Sequence, residues 1–386
     1  MHVVVLGAGY AGVTLTRKLE DALPPEADLT IVNESDTHLV QHEVHRVIRR
    51  PSITDAIEVP LASLFDRAAV VTARVENVDP DANEVVFDSG ETLSYDYGAL
   101  CLGAETAFYD LPGVETHGQT LKAVGDAEAI RGRALDLLGA DTPASIVVGG
   151  AGLSGVQVAG ELAALADEKG ASDRIDIMLL EQLDTVAPVF PEAFQDAVAD
   201  ELTERGIEIQ VETAVTEATE SAVATRNQAT GETDTLDADL FVWTGGIAGP
   251  ESMAGDRPVV RRDLRLTNST FAVGDTARIV DADGEAVPAS ASAAIRAADP
   301  AAENITRLVE WELAGRGGFE PELTPFRFNV PGWIVSVGDG AVAQVGPEVV
   351  TGGAAKALKA SVGAGYLSSI REVQKATELV GEELEA

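Results

Sequence analysis

Two stretches of this 386-residue chain carry glycines at a spacing that can hold a diphosphate. The first is Gly7-Ala8-Gly9-Tyr10-Ala11-Gly12, after the apolar run Val3-Val4-Val5-Leu6. The second is Gly150-Ala151-Gly152-Leu153-Ser154-Gly155, after Ile146-Val147-Val148-Gly149. In a Gly-x-Gly-x-x-Gly turn the first glycine allows the tight exit from a strand. The second lets the backbone approach a pyrophosphate, and the third lets the next helix lie against the strand. The helix start then offers unpaired N–H groups and the positive end of its dipole to the phosphates. An acid stands at the end of the next strand in both places: Asp28 to Val32 ends at Asn33-Glu34, and Ile175 to Leu180 ends in Glu181. Such a carboxylate can accept hydrogen bonds from both ribose hydroxyls. At Glu181 it would also repel the extra phosphate of NADP and so favours NADH.

Other candidates are more open. His38, His42 and His45 would share one face if their segment is helical, a spacing that could ligate a metal. The HExxH motif is absent, and two other readings stand beside a metal site. One is a solvated face; the other, favoured by position just after Glu34, is packing or neutral donation beside a cofactor ring. Asp275 closes Ala272-Val273-Gly274-Asp275, where it could bond a polyol hydroxyl or cap the following helix. The single cysteine, Cys101, cannot form an intrachain disulfide, which removes disulfide-reductase and cysteine-relay chemistries. Its apolar surroundings make it an inert core thiol.

These residues need strands and helices to hold them. The fold class expected is α/β, with two Rossmann-like dinucleotide-binding domains, the second inserted in the first, and a small C-terminal α+β segment. The boundaries read as 1–116 and 245–313 for the first domain, 117–244 for the second and 314–386 for the last. Helices are expected over Val13 to Ala22, Val124 to Leu138 and Ala289 to Leu313. Residues 58–100 read as a meander of short strands, one of them running from Ala69 to Val78. Two dinucleotide sites in one chain suggest hydride relay from NADH to a flavin, in which the cofactors carry the chemistry.

The motifs together resemble the two-dinucleotide-domain flavoproteins. These are the two glycine turns, Tyr95-Asp96-Tyr97 with Gly103, Glu161, Trp243-Thr244-Gly245-Gly246 and Ala272-Val273-Gly274-Asp275. Within that superfamily the chain is most similar to the type II NADH dehydrogenases, over Met1 to about Tyr366, with Pro331-Gly332-Trp333 to Asp339 particular to that branch. The resemblance implies FAD on Gly7, Gly9, Gly12 and Glu34, with the Val75 backbone near the adenine and Asp275 on the ribityl chain. It implies NADH on Gly150, Gly152, Gly155 and Glu181. Tyr10, Ala11, His42, Gly103, Leu153 and Gly246 complete the expected cofactor contacts. Glu161 is the implied catalytic residue near the nicotinamide and flavin; its bland reading is an exposed helix acid.

The chain also departs from that pattern. Where the family carries glutamines after Gly-Asp, Ser292 and Arg296 stand, and with Ile295 they mark the expected acceptor pocket. Gln157 replaces an acid and Leu102 a threonine. A quinone is the acceptor the resemblance implies; a small soluble electron carrier is the alternative the departures favour. A non-catalytic NADH sensor is a further one.

Composition narrows the partners. The net charge of −37, with 64 acids against 27 bases, repels nucleic acid. It suits concentrated salt, where the Debye length shrinks to about 3 Å at 1 M. No run of eighteen apolar residues occurs, and the apolar N-terminus lacks a basic leader, so a cytoplasmic address is expected. From Ala354 to Leu384 apolar residues recur at helical intervals, with Lys356, Lys359, Arg371 and Lys375 among them. That basic amphipathic pattern suggests peripheral contact with the cytoplasmic face of the membrane; simple packing or a homodimer contact is the alternative.

Overall fold

The computed structural model describes residues 1–385. It divides into two compact units, one made of Met1–Val40, Glu58–Glu105 and Ile247–Val330. The other holds Gln41–Ile57, Thr106–Gly246 and the described residues from Pro331 on.

The first unit is built on a five-stranded parallel sheet. Its order is Thr270–Ala272, Tyr97–Leu100, His2–Leu6, Asp28–Asn33 and Ala69–Thr72. A parallel sheet is covered on both faces, so its central strand is apolar throughout rather than alternating. Val3, Val4, Val5 and Leu6 are accordingly fully buried. The helix Tyr10–Ala22 returns from the central strand and packs on the helix Ala291–Leu313. Ser290 Oγ caps the latter by accepting from the Ala293 N–H at 3.2 Å.

The expected strand from Ala69 to Val78 is two strands. Ala69–Thr72 completes the parallel sheet, whereas Val75–Asp79 opens an antiparallel meander with Glu84–Phe87 and Thr92–Ser94. The break follows the hydrogen bonds. Ala73 still donates to Asn33 O at 2.8 Å, but the Arg74 carbonyl already accepts from Asp88 at 3.1 Å.

The second unit repeats the plan with a four-stranded parallel sheet. Its order is Glu208–Gln210, Ile175–Leu180, Ala144–Gly149 and Leu240–Trp243. The helix Leu153–Glu168 returns from the strand Ala144–Gly149. Val147, Leu180, Phe241 and Trp243 of the sheet form one core cluster with Val223 of the antiparallel strand Ala222–Asn227. An antiparallel sheet, Gly332–Val337, Gly340–Val345 and Glu348–Thr351, and the helices Gly352–Ser369 and Val373–Glu385 belong to this same unit. So does a 3-10 helix, Gln41–Ile48, which packs against the Leu153–Glu168 helix. No described helix is long and apolar enough to cross a membrane.

The three histidines do not share a helix face. The helical turn begins only at Gln41, and His38 lies on the short strand Thr37–Leu39 paired with Glu58–Pro60. Among the described residues, no three metal-ligating side chains converge on a point that could hold an ion.

Candidate functional site

In the first unit the glycine turn has the geometry its spacing predicts. Gly7 has φ +95°, and a Cβ there would lie 2.3 Å from the Cys101 carbonyl oxygen. A Cβ on Gly12 would lie 1.8 Å from Gly7 O. By contrast, nothing lies within 4 Å of a Cβ placed on Gly9. Gly9 caps the helix Tyr10–Ala22 with no side-chain acceptor, so the first N–H groups are left to an outside anion.

Around this cradle, Asn33 Oδ1 accepts from the Ala8 N–H at 2.9 Å, and His38 Nδ1–H donates to Ala8 O at 2.7 Å. Tyr10 meets the His38 ring edge-on, centroids 5.5 Å apart. His38, one of the three histidines read as standing beside a cofactor ring, braces the glycine turn itself, whereas His42 belongs to the second unit. Glu34 is exposed, one residue beyond Asn33. Val75 begins the meander, and Gly103 turns at φ +74° with open space about it.

Gly274, at φ +80°, lets its turn close on Ala11, whose Cβ would be 3.1 Å from an added Cβ. Asp275 is half-buried and its carbonyl accepts from Arg257 Nε at 2.6 Å. Arg257, Gly274, Asp275, Ala289 and Ala293 line a small cleft there. On the next helix Ser292 and Ile295 are half-buried. Arg296 is exposed, its Nε donating to Ser292 Oγ at 3.3 Å.

The second unit carries the same cradle. Gly150 has φ +98°, a Cβ on Gly155 would lie 1.9 Å from Gly150 O, and Gly152 again opens on space. Leu153 is the first residue of the helix that Gly152 caps without a side-chain partner. Glu181 is buried, with Oε2 accepting from Ala151 N–H at 2.9 Å and Oε1 from Leu183 N–H at 3.0 Å. Gly246 has φ +152°, and a Cβ there would run into the Tyr109 hydroxyl at 2.0 Å. These paired cradles fit two dinucleotides: bare backbone where a diphosphate must approach, and contact too close for any side chain where it need not.

Glu161 is 2% exposed and is not a surface acid. Arg49 Nε donates to its Oε2 at 2.9 Å. Burial pushes the Glu161 carboxyl up to about 7, against the pull of Arg49, Lys359 and Arg46. A second buried acid, Glu43, lies on the 3-10 helix Gln41–Ile48. Lys359 Nζ donates to Glu43 Oε2 at 3.2 Å and Arg46 Nη1 to the same oxygen at 3.1 Å. Burial raises Glu43, but Lys359, His42 and Arg46 outweigh it and hold the carboxyl well below its ordinary range. His45, held below its usual range by burial, pairs its Nε2 with Ser336 Oγ at 2.7 Å and is neutral. Lys359 is thus a buried ion-pair member, not part of a surface charge patch.

Asn33, His38, Arg49 and Lys359 were not expected in these roles. Arg49 and Lys359 each sit beside apolar residues in the sequence, at Val47-Ile48 and Ala357-Leu358-Ala360, which is the only mark of their burial.

The chain is similar in sequence or in fold to known proteins. The type II NADH:quinone oxidoreductase of Staphylococcus aureus is 27% identical over 347 residues, covering 82% of this chain and 86% of that protein. The structure of NDH2 from Plasmodium falciparum in complex with NADH superposes with a TM-score of 0.84 at 14% identity, covering 98% of this chain and 97% of that one. The sulfide:quinone oxidoreductase of Aquifex aeolicus superposes at 0.81 with 20% identity, over 96% and 92%. The pyridine nucleotide-disulphide oxidoreductase family matches residues 1–298, so two glycine cradles, two parallel sheets and this match agree: the chain belongs to that family.

Proposed function

We propose that this chain is a type II NADH dehydrogenase: it oxidises NADH and passes the electrons through FAD to a quinone. The observation that carries this reading is the repeated cradle, with Gly9 and Gly152 open and Gly12 and Gly155 closed on their own turns. FAD, when bound, supplies a ring that takes two electrons with a hydride and gives them up again. The protein's share is to bind and orient. Gly7, Gly9, Gly12, Tyr10 and Ala11 form the first diphosphate site, with Glu34 beside the ribose, Val75 and Gly103 flanking, and Gly274 with Asp275 toward the polyol. Gly150, Gly152, Leu153, Gly155 and Gly246 hold NADH, and Glu181 supplies the charge that disfavours a 2′-phosphate. Glu161 is the acid of the reaction, and Ser292, Ile295 and Arg296 line the acceptor side.

Disulfide chemistry is closed to this family member within one chain, because Cys101 is the single cysteine and burial pushes its thiol far above its ordinary range. For the place of action we propose the cytoplasmic face of the membrane, touched peripherally. Exposed Leu358, Val362 and Val373 on the C-terminal helices, with Lys356 and Arg371 close in sequence, support that contact. A homodimer through the same helices is the competing use, and flotation with anionic vesicles separates the two.

A visible spectrum before and after NADH, followed by a soluble quinone analogue, tests the activity in concentrated salt. A yellow protein that NADH bleaches and quinone recolours is expected. Bleaching without recolouring, restored by a small iron–sulfur protein, would transfer the assignment to a soluble-carrier reductase. A colourless protein would leave only nucleotide sensing.

A further inference from the structure

Arg49 sits within the second unit among three carboxylates. Its side chain is 3% exposed. Nε donates to Glu161 Oε2 at 2.9 Å, and Nη1 donates to Glu168 Oε1 at 3.3 Å and to Asp339 Oδ1. Glu161 and Glu168 lie on the helix Leu153–Glu168, two turns apart, and Asp339 lies in the turn between the strands Gly332–Val337 and Gly340–Val345. Arg131, from the helix Val124–Gly139, fixes the backbone by donating to Ile48 O at 2.8 Å and Arg49 O at 2.9 Å.

The three acids differ in their access to water. The Glu161 side chain is 2% exposed, Glu168 44% and Asp339 53%. A guanidinium stays charged at any working pH, so Arg49 is a fixed cation shared among one buried acid and two wet ones. Other charges face the cluster from every side. Arg46 and Lys359 act on Glu161, Arg50 approaches Glu168 at 4.0 Å, and Lys356 acts on Asp339. Glu43 is engaged with Lys359, Arg46 and His42, and His45 is neutral.

We infer that Arg49 is the positioning residue for Glu161, and that Glu168 and Asp339 weaken its hold by sharing the same guanidinium. This deepens the reading of the chain as an NADH:quinone reductase and rests on it for its consequence in turnover. NADH, quinone and one proton give NAD⁺ and quinol. The hydride brings two electrons and one of the two protons of the quinol, and the other comes from solvent. Glu161 holds that second proton. Its O–H bond breaks as a quinone oxygen takes the proton and forms the second O–H of the quinol, the electron pair stays on a carboxylate that Arg49 already faces, and a solvent proton later restores the acid. The raised carboxyl of Glu161, near 7, is consistent with such a group.

The test needs no turnover at first. Infrared difference spectra of the oxidised FAD-loaded protein, with Glu161→Gln as the subtraction, follow the Glu161 carboxyl with pH. Arg49→Met is expected to raise its midpoint by about one pH unit or more, and Arg49→Lys to bring it most of the way back. Glu168→Gln and Asp339→Asn, both at half-exposed positions, are expected to lower it, and they decide the matter if Arg49→Met does not fold. A midpoint that none of the four moves overturns the inference, whatever happens to stability. In turnover, the pH profile of kcat for quinone reduction should move in the same direction with KM for NADH unchanged. A moving midpoint with an unmoving kcat profile overturns the proton role of Glu161. Failure of the wild type to reduce quinone at all defeats the functional reading while leaving the infrared result standing.

Discussion

Asn33 and Glu181 accept the same hydrogen bond in their separate units. Asn33 Oδ1 takes the N–H of Ala8 and Glu181 Oε2 takes the N–H of Ala151, each at 2.9 Å. The registers make the positions equivalent: Gly7 donates to Val32 O at 2.7 Å, and Gly150 to Leu180 O at 2.8 Å. In both units the strand-end side chain therefore locks the residue after the first glycine. Asn33 also spends its amide on the Ser35 carbonyl and hydroxyl, at 3.0 and 3.1 Å. The first site is locked by a neutral group, with the acid displaced one residue to exposed Glu34. Only the second is locked by a charge.

That difference gives Glu181 a testable role in choosing the nucleotide. Glu181→Gln keeps an acceptor for Ala151, loses the charge and gives up the bond from Leu183 N–H. The ratio of kcat/KM for NADPH over NADH should rise on the order of tenfold, equivalent to about 1.4 kcal/mol. Glu181→Arg should carry the preference further toward NADPH. Steady-state kinetics with both nucleotides checks this, and an unchanged ratio would place the ribose away from Glu181.

The glycines divide into those whose Cβ would strike protein atoms and those whose Cβ would meet none. Gly12→Ala drives a Cβ to 1.8 Å from backbone, so the apoprotein should be strongly destabilised or fail to accumulate. Gly9→Ala meets no protein atom within 4 Å and should leave the apoprotein's Tm nearly unchanged while FAD binding falls. Gly152→Ala should do the same for NADH, raising KM without bleaching the flavin site. Thermal melts with and without flavin separate the cases. Equal loss of apoprotein stability in Gly9→Ala and Gly12→Ala would end the distinction.

The sequence showed the parts whose chemistry is local. Glycine spacing after an apolar strand dictates a turn, and the turn dictates which glycine faces out, so both cradles were legible. The strand end was less so, because the sequence does not show whether the strand stops at Val32 or Asn33, and only the register shows that Asn33 turns back to the loop. The charged interior was not legible. Glu161 looks like any helix acid until Arg49 arrives from 112 positions away in the chain. Lys359 reads as part of a basic stripe until Glu43 is found beneath it, 316 positions away. Burial of a charge is decided by its partner, and distant partners leave no periodicity to read.

Lys359 and Glu43 tie the helix Gly352–Ser369 to the turn Gln41–Ile48, with side chains 6% and 2% exposed. Lys359→Met would leave the carboxylate with Arg46 and His42 alone, at a cost of about 3 kcal/mol. Adding Glu43→Gln should recover part of that loss, since the uncompensated charge goes with it. Glu43 is depressed when folded, so its contribution is present above its ordinary value of 4.5 and lost as pH falls. Denaturant melts of the two single variants and the double variant check the coupling. Additive losses would mean that the pair does not act as one.

Glu161 has the opposite sign. Its folded carboxyl lies near 7 against an ordinary 4.5, so the folded protein holds a proton there that the unfolded chain releases. The stabilisation is full below about pH 4.5 and disappears as pH rises to about 7, where the buried carboxylate must ionise beside Arg49. Each tenfold gain in proton affinity on folding is worth about 1.4 kcal/mol, so the swing is on the order of 3 kcal/mol. The many surface acids also repel one another as pH rises, but that background is common to wild type and Glu161→Gln, and about 1 M salt screens it. Unfolding free energies at pH 5 and pH 8 should therefore fall less in Glu161→Gln than in the wild type. Equal falls in the two proteins would mean that Glu161 is already ionised throughout, and that Arg49 holds it far more tightly than its shared guanidinium suggests.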